Sequence, residues 1–175
     1  MDTIRLDVEN VRWLEGIDST HDLCAHGDVV FDLDGRSAWA TGSDDLCVSA
    51  AAMNLLRTLE QDHPKEDPVT DDLFPHCGHM WWLSEDHGLV NIAGCSAGKD
   101  ALVFHRGKNV VIQTPAGGTA EILRTEWVGH VCAFADKVEA LYQRSDPKEP
   151  DADDAAWYEL FWPEWRARRA RAQEE

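Results

Sequence analysis

The first third of the chain alternates apolar with charged or polar residues. Positions 4–9 read Ile, Arg, Leu, Asp, Val, Glu, which is the period of a strand with one buried face. A second strand is predicted over 27–33, where Val, Phe and Leu occupy every other position. The Asp-Gly pair at 34–35 indicates a turn, and a third strand is expected over 37–41. This part predicts an antiparallel meander with an acidic outer face.

A helical period begins after this meander and returns near the end of the chain. Ser49 is a favourable N-cap, and the apolar positions after it predict a helix over 50–61. Between 128 and 142 the apolar residues recur at i, i+3 and i+4, which predicts the clearest helix.

A third helix is predicted from an aromatic stripe. Trp157, Phe161 and Trp165 stand four residues apart, so their rings share one helical face that should pack on the domain. Pro163 lies inside this segment and is expected to bend or break it.

The region between the first two helices has the composition of a sheet. Short β-rich runs alternate with turn residues at 79–83, 88–94, 100–106, 109–114 and 119–125. The tight-turn signal at 107–109 predicts a hairpin that joins 101–106 to 109–114.

Together these elements predict a single α+β domain over residues 1–175. We expect an antiparallel sheet of about six to eight strands, one helix inserted after the third or fourth strand, and two C-terminal helices. Three segments are expected to be less ordered: a flexible acidic loop at 64–72, a linker at 145–153 and a frayed tail at 168–175.

The composition is that of a globular protein, with 43% hydrophobic and 28% charged residues. No apolar run approaches the roughly 20 residues that cross a bilayer, and the first residues do not resemble a signal peptide. We therefore expect a cytoplasmic protein without membrane contact. The five cysteines include no CxxC pair. Reduced, buried thiols are expected for Cys47, Cys95 and Cys132.

The net charge of −17 is spread unevenly. Residues 1–72 carry 17 Asp/Glu against 5 Lys/Arg, whereas residues 73–145 carry 7 against 6. An acidic surface repels nucleic acid and attracts a basic protein, although a merely solvated face is the alternative. The candidate contact residues are Asp32, Asp34, Asp44, Asp45, Asp71, Asp72, Tyr158 and Trp162. A monomer or weak dimer is expected.

No set of catalytic residues stands out. The glycines at 94 and 98 suggest a phosphate loop, but Asp100 replaces Ser or Thr and a strand follows instead of a helix. A Cys77 or Cys95 nucleophile with His105 would need further groups that the sequence does not place. The favoured interpretation therefore has no catalytic residue and no cofactor.

A metal site is the alternative. Cys77 and His79 would point to one side of an extended segment that begins at His76, and both residue types bind zinc. Further ligands could come from His21, Cys24 or His26. This interpretation makes the chain a small zinc-binding protein or metal-dependent enzyme.

The order of elements resembles that of the small cytoplasmic immunity proteins of bacterial polymorphic-toxin systems. The resemblance lies in an acidic single domain, a strand with its helix (LCVSAAAMNLLRTLE), consecutive hairpins (GLVNIAGC, DALVFHRGKNVVIQT) and a closing helix (WYELFWPEWRARR). It covers most of the chain as a pattern and transfers no individual residue. It implies a protein without catalysis of its own that neutralises a toxin by covering its active site. A basic nuclease would suit the charge.

Overall fold

Two long strands and two short ones form the first sheet. β1 (Ile4–Arg12) pairs antiparallel with β2 (His26–Leu33), which also pairs with β3 (Arg36–Ser37) and β4 (Leu46–Cys47). The computed structural model describes residues 2–39, 45–76, 81–83 and 89–173. Alternate side chains of the long strands are buried: Leu6, Val8, Val29, Phe31 and Leu33. The predicted alternation is confirmed.

The turn between β2 and β3 has the backbone of a two-residue hairpin. Asp34 and Gly35 both have positive φ, at 49° and 74°. Glycine adopts this conformation without strain, and aspartate is one of the few other residues that does so readily. The Asp34 carboxylate accepts hydrogen bonds from the amide (2.8 Å) and hydroxyl (3.2 Å) of Thr3. These bonds fasten the turn to the start of the chain.

The first helix, α1 (Val48–Arg57), is central, since all ten of its residues are buried. It begins and ends earlier than predicted, and Cys47 occupies the N-cap position instead of Ser49. The Ser49 hydroxyl accepts a hydrogen bond from the Ala25 amide at 2.8 Å and lies 2.7 Å from the Tyr142 hydroxyl. Ser49 therefore joins α1 to its neighbours, and the prediction that it caps the helix is wrong.

Two further antiparallel sheets complete the β structure. β5 (Trp81–Leu83) pairs with β6 (Val90–Ile92), while β7 (Leu102–Arg106), β8 (Asn109–Gln113) and β9 (Thr119–Leu123) form a meander. The predicted hairpin is confirmed as β7–β8, and α1 follows the fourth strand as expected. The described residues contain nine strands in three sheets. The extra strands are two-residue pairings, which no periodicity in the sequence marks.

The two C-terminal helices are α2 (Arg124–Gln143) and α3 (Ala155–Ala172). The buried stripe of α2 consists of Trp127, Val131, Phe134, Ala135, Val138 and Leu141. The aromatic stripe of α3 is buried as well, so the prediction that it packs on the domain is confirmed. The α+β class is thereby established. No helix in the described part of the chain is both long enough and apolar enough to cross a membrane.

α3 continues through Pro163, so the predicted break is absent. Proline removes one helical hydrogen bond, but packing holds the helix on both sides of it. Before the proline, Trp157 lies against Trp81 with ring centroids 4.6 Å apart. After it, Trp165 donates a hydrogen bond to Glu139 of α2 at 3.1 Å. Tertiary contacts outweigh the local cost.

An ion cluster fixes the end of α3 to α1, where the sequence predicted a frayed tail from residue 168. Arg168 is 6% exposed and contacts Glu164 at 2.9 Å and Glu60 at 3.0 Å. Glu164 also contacts Arg57 of α1 at 3.0 Å, and Arg171 reaches Glu60 at 3.0 Å. These five residues are called the α1–α3 ion cluster below.

Cys24 and Cys47 form a disulfide, with Cα atoms 6.1 Å apart. The expectation of a reduced thiol at Cys47 is therefore wrong. Cys95 and Cys132 are half-buried, and burial raises the pKa of the Cys132 thiol. The disulfide fastens the loop before β2 to the start of α1.

The predicted loop 64–72 and linker 145–153 contain neither helix nor strand. The loop is anchored near both ends. The Val69 amide donates to His63 Nδ1 at 3.1 Å, and the Asn54 side chain donates to the Asp72 carbonyl at 3.0 Å.

Candidate functional site

Two predicted contact residues, Asp71 and Asp72, bind the backbone of their own chain. Asp71 accepts a hydrogen bond from the Gly94 amide and Asp72 accepts one from the Cys95 amide, each at 3.2 Å. A Cβ added at Gly94 or Gly98 would collide with the Asp72 carboxylate. The turn with the glycines of a phosphate loop therefore holds a carboxylate of this protein.

Asp72 is half-buried, near a polar pair formed by Asp100 and the buried His63. Burial raises the pKa of Asp72, and the charge of Asp100 raises it further. The Nε2 atom of the fully buried His63 lies 2.9 Å from Asp100 Oδ1. Because His63 Nδ1 accepts the Val69 amide, Nε2 carries the proton and donates it to Asp100. The group holds loop 64–72 in place.

The other predicted acids differ in their surroundings. Asp34 binds Thr3 at the hairpin turn, as described above. Asp32 is half-buried on β2, opposite Arg5 of β1. Asp44 lies outside the described residues. Asp45 lines a cavity together with two histidines of the zinc hypothesis, His21 and His26.

The predicted aromatic contacts lie on the half-buried flank of α3. Trp162 donates a hydrogen bond to the Tyr158 hydroxyl at 3.2 Å, and its ring meets Tyr142 of α2 edge to face at 4.8 Å. Both residues line a cavity of about 320 Å³ beside Lys148 and Arg166. Their rings therefore serve packing between α2 and α3 as well as the surface.

A larger cavity, of about 450 Å³, lies beside the first sheet and the start of α3. Its polar lining consists of His21, Asp22, His26, Asp45, His76 and Asp154. Its apolar lining consists of Leu14, Ile17, Leu23 and Trp157, and Cys24 of the disulfide also lines it. It is called the acidic cavity below.

Carboxylates order the loop that forms one wall of the acidic cavity. Asp22 accepts hydrogen bonds from the amides of Leu14 (2.7 Å) and Cys24 (3.3 Å). Asp18 accepts the amide and hydroxyl of Thr20, each at 2.9 Å, and these bonds lower the pKa of Asp18. The loop is therefore folded by its own acidic side chains.

The linker after α2 is fastened to this loop. The Glu149 amide donates to the Thr20 carbonyl at 2.8 Å. Lys148 Nζ donates to the Ser19 carbonyl and lies 3.0 Å from the centre of the Trp13 ring. Burial lowers the pKa of Lys148 to about 8. These contacts bring Asp154 to the cavity.

The fold thus joins two acidic segments that are far apart in the sequence. Residues 13–25 contain three Asp/Glu and no Lys or Arg, and residues 145–154 contain five Asp/Glu and one lysine. Sequence reasoning missed this site because it treated 145–153 as a linker and did not connect it with residues 13–25. The run of acids at 151–154 was the one local signal.

His26 and Asp45 occupy the part of the cavity nearest to the sheet. His26 is 7% exposed, and its Nδ1 lies 3.7 Å from Asp45 Oδ1. Asp45 accepts a hydrogen bond from Arg12 Nη2 at 2.6 Å and has a positive φ of 57°. Its amide donates to Asp28 at 3.1 Å. Asp28 therefore holds the Asp45 backbone, and Arg12 holds its carboxylate.

Four of the six residues in the zinc hypothesis line the acidic cavity: His21, Cys24, His26 and His76. Cys24 is part of the disulfide, so its predicted role as a thiolate ligand is wrong. Cys77 and His79 lie outside the described residues. Among the residues that the structure describes, no three His, Cys, Asp or Glu side chains are placed to hold a metal ion. Zinc binding stays a prediction, which metal analysis of the purified protein would test.

A scan against protein-family models, a search of curated proteins and a search of solved structures find no match to this chain. The fold and the site define an acidic α+β protein with a carboxylate-lined cavity.

Proposed function

We propose that this protein binds a basic protein through the acidic cavity and the acidic residues around it. The partner would be neutralised by coverage of its active site, which is what the resemblance to immunity proteins implies. The observation that carries the proposal is the contact between segments 13–25 and 145–154, with eight acidic residues and one lysine between them. Such a surface attracts a cationic partner and accelerates its association.

The same surface offers an apolar contact. Ile17 lines the acidic cavity and is 50% exposed. Among the described residues, only Trp82 is a similarly exposed large hydrophobic side chain, at 49%. Binding interfaces combine apolar contacts with a polar rim, and Ile17 among carboxylates supports that arrangement.

The proposal changes which acids are assigned to the partner. Asp34, Asp71 and Asp72 bind their own chain outside the acidic cavity, whereas Asp45 lines the cavity and accepts a hydrogen bond there from Arg12. Contact with the partner stays a prediction for four further residues: Asp32, Asp44, Tyr158 and Trp162. Charge repulsion between the acidic cavities of two copies favours a monomer.

The cellular compartment is part of the proposal. The sequence led us to expect the cytoplasm, but the Cys24–Cys47 disulfide favours an oxidising compartment. Alkylation of thiols in intact cells, followed by mass spectrometry, distinguishes the two. Alkylated Cys24 and Cys47 would support the cytoplasm, and a protected pair would support an oxidising compartment.

Two matched charge reversals test the binding surface. Tagged wild-type protein captures its partner from the source organism at moderate salt, and the partner is identified and purified. Its affinity is then measured for Glu15→Lys/Asp153→Lys and for the control Glu66→Lys/Asp67→Lys. All four side chains are exposed, and the two variants change the net charge equally. We expect the first variant to bind about tenfold more weakly and the control to bind nearly like wild type.

Two outcomes contradict the proposal. Equal affinities of the two variants would show that the acidic cavity and the acidic residues around it are not the contact surface. A partner that keeps its full activity in the saturated complex would show that binding does not neutralise it.

A further inference from the structure

One buried nitrogen atom of a residue that lines the acidic cavity has no hydrogen-bond partner among the described residues. This atom is Nδ1 of His26, which is more than nine-tenths buried. A buried polar atom without a partner lowers stability, so most such atoms in folded proteins are satisfied by protein, water or ligand. With the ring proton on Nε2, Nδ1 is an acceptor, and a ligand N–H would remove this cost.

Two carboxylates of the cavity also have an oxygen to spare. Asp45 Oδ1 accepts Arg12, and Asp154 Oδ1 accepts Trp157 Nε1 at 2.8 Å. The Oδ2 atoms of both residues accept no hydrogen bond within the described part of the chain. His26 Nδ1 is a third acceptor when the ring proton is on Nε2, and the three groups come from separate segments of the chain.

The walls restrict what can use these acceptors. Leu14, Leu23 and Trp157 are apolar, so the occupant needs an apolar stem as well as donors. An arginine side chain has such a stem, and its planar head carries five N–H donors that bind several acceptors at once. Its head also stacks on aromatic rings. Lysine offers a single compact charge, which cannot span separate acceptors as well.

We propose that the acidic cavity is the socket for one arginine side chain of the basic partner. This inference rests on the proposed function and names the residue that the surface recognises. In this arrangement the His26 ring carries its proton on Nε2. The guanidinium donates to Asp45, Asp154 and His26 Nδ1, and the stem lies against Leu14 and Leu23. Arginine is also among the residues that most often anchor protein interfaces.

A small arginine derivative tests the socket in the intact protein. Nα-acetyl-L-arginine methylamide is titrated into the full chain while the ring nitrogens of His26 are followed by NMR. We expect a saturable shift at His26 Nδ1 and about tenfold weaker binding of the lysine analogue.

Variants of the two carboxylates locate the binding. Asp154→Asn and Asp45→Asn should each weaken the arginine derivative about tenfold. Both changes suit the backbone, because asparagine is a good N-cap and adopts the positive φ of residue 45. The control Asp146→Asn removes an equal charge from the linker, but residue 146 lines the smaller cavity instead. It should bind nearly like wild type.

The outcomes separate this inference from the proposed function. An absent His26 shift, or equal losses in Asp154→Asn and Asp146→Asn, would overturn the socket. If the affinity of the captured partner still falls in Glu15→Lys/Asp153→Lys in that case, the proposed function is supported without the arginine socket. If the arginine derivative binds at His26 but the affinity of the partner is the same in both charge-reversal variants, the proposed function fails and the cavity is not the partner's socket.

Discussion

Replacing Glu164 by glutamine tests whether the α1–α3 ion cluster holds the C-terminal helix in place. The Glu164 carboxylate accepts hydrogen bonds from Arg57 Nε at 3.0 Å, Arg57 Nη2 at 3.2 Å and Arg168 Nε at 2.9 Å. The three side chains are only 7–8% exposed. Water therefore cannot replace the carboxylate fully when its charge is removed.

The magnitude follows from what remains after the change. Removing one partner of a buried ion pair costs about 3–5 kcal/mol. Here Arg57 keeps the Val90 carbonyl at 2.6 Å, and Arg168 keeps Glu60 at 3.0 Å. Glutamine also retains one acceptor oxygen. We therefore expect Glu164→Gln to lower the free energy of unfolding by about 3 kcal/mol at neutral pH, the lower end of that range.

Urea unfolding, followed by circular dichroism and tryptophan fluorescence, measures this loss. The control is Glu159→Gln, an exposed position on the same helix, which should change stability by less than about 0.5 kcal/mol. A loss below about 1 kcal/mol in Glu164→Gln would refute the reasoning, since a buried pair broken on one side costs more.

The pH dependence provides a second check on the same variant. Burial alone would raise the pKa of Glu164, but hydrogen bonds and charges from Arg57 and Arg168 outweigh it and lower the pKa below the ordinary 4.5. The carboxylate therefore stabilises the fold fully above pH 4.5 and loses this effect as the pH falls through the folded pKa. Wild type and variant should converge in acid, and a constant difference would contradict the ionic origin.

Three further changes test other parts of the structure. Cys24→Ala/Cys47→Ala should lower the free energy of unfolding by about 3 kcal/mol, given the sequence separation of 23, and a reductant should lower wild type equally in urea unfolding. Asp72→Asn should flatten the pH dependence of stability above pH 3.8, because burial and Asp100 raise the pKa of Asp72 and its ionisation then destabilises the fold. Urea unfolding at a series of pH values measures this, and an unchanged slope would contradict it. Val131→Asp places a charge at a fully buried site and should abolish the native circular dichroism spectrum; a native spectrum would disprove the helix packing.

Local periodicity was enough to predict most of the fold. The alternation at 4–9 became β1, and the apolar rhythm at 128–142 became α2, because each pattern reports directly which side of an element is buried. The aromatic spacing in α3 was equally informative. These predictions needed no knowledge of any distant contact.

The failures share a physical cause, which is that distant contacts override local preference. Ser49 would cap a helix in isolation, but in the fold its hydroxyl binds Ala25 and Tyr142. Pro163 would break a free helix, but aromatic packing on both sides keeps α3 intact. Arg168 would lie in a frayed end, but Glu164 and Glu60 bury it. None of these partners can be read from neighbouring residues.

The candidate site shows the same limit more sharply. A sequence with 33 acidic residues does not reveal which carboxylates are available, because availability depends on where the backbone amides and basic side chains lie. The fold divides the candidate acids: Asp34, Asp71 and Asp72 lie outside the acidic cavity and bind their own chain. Asp45 lines the cavity together with Asp154, which was not a candidate, beside a buried histidine whose Nδ1 has no hydrogen-bond partner among the described residues. All five carboxylates accept a hydrogen bond from their own chain, so a hydrogen bond within the chain does not by itself decide which of them a cationic partner would contact. Asp45 and Asp154 differ from the other three acids because both line one cavity beside His26, and a basic partner should be sought there.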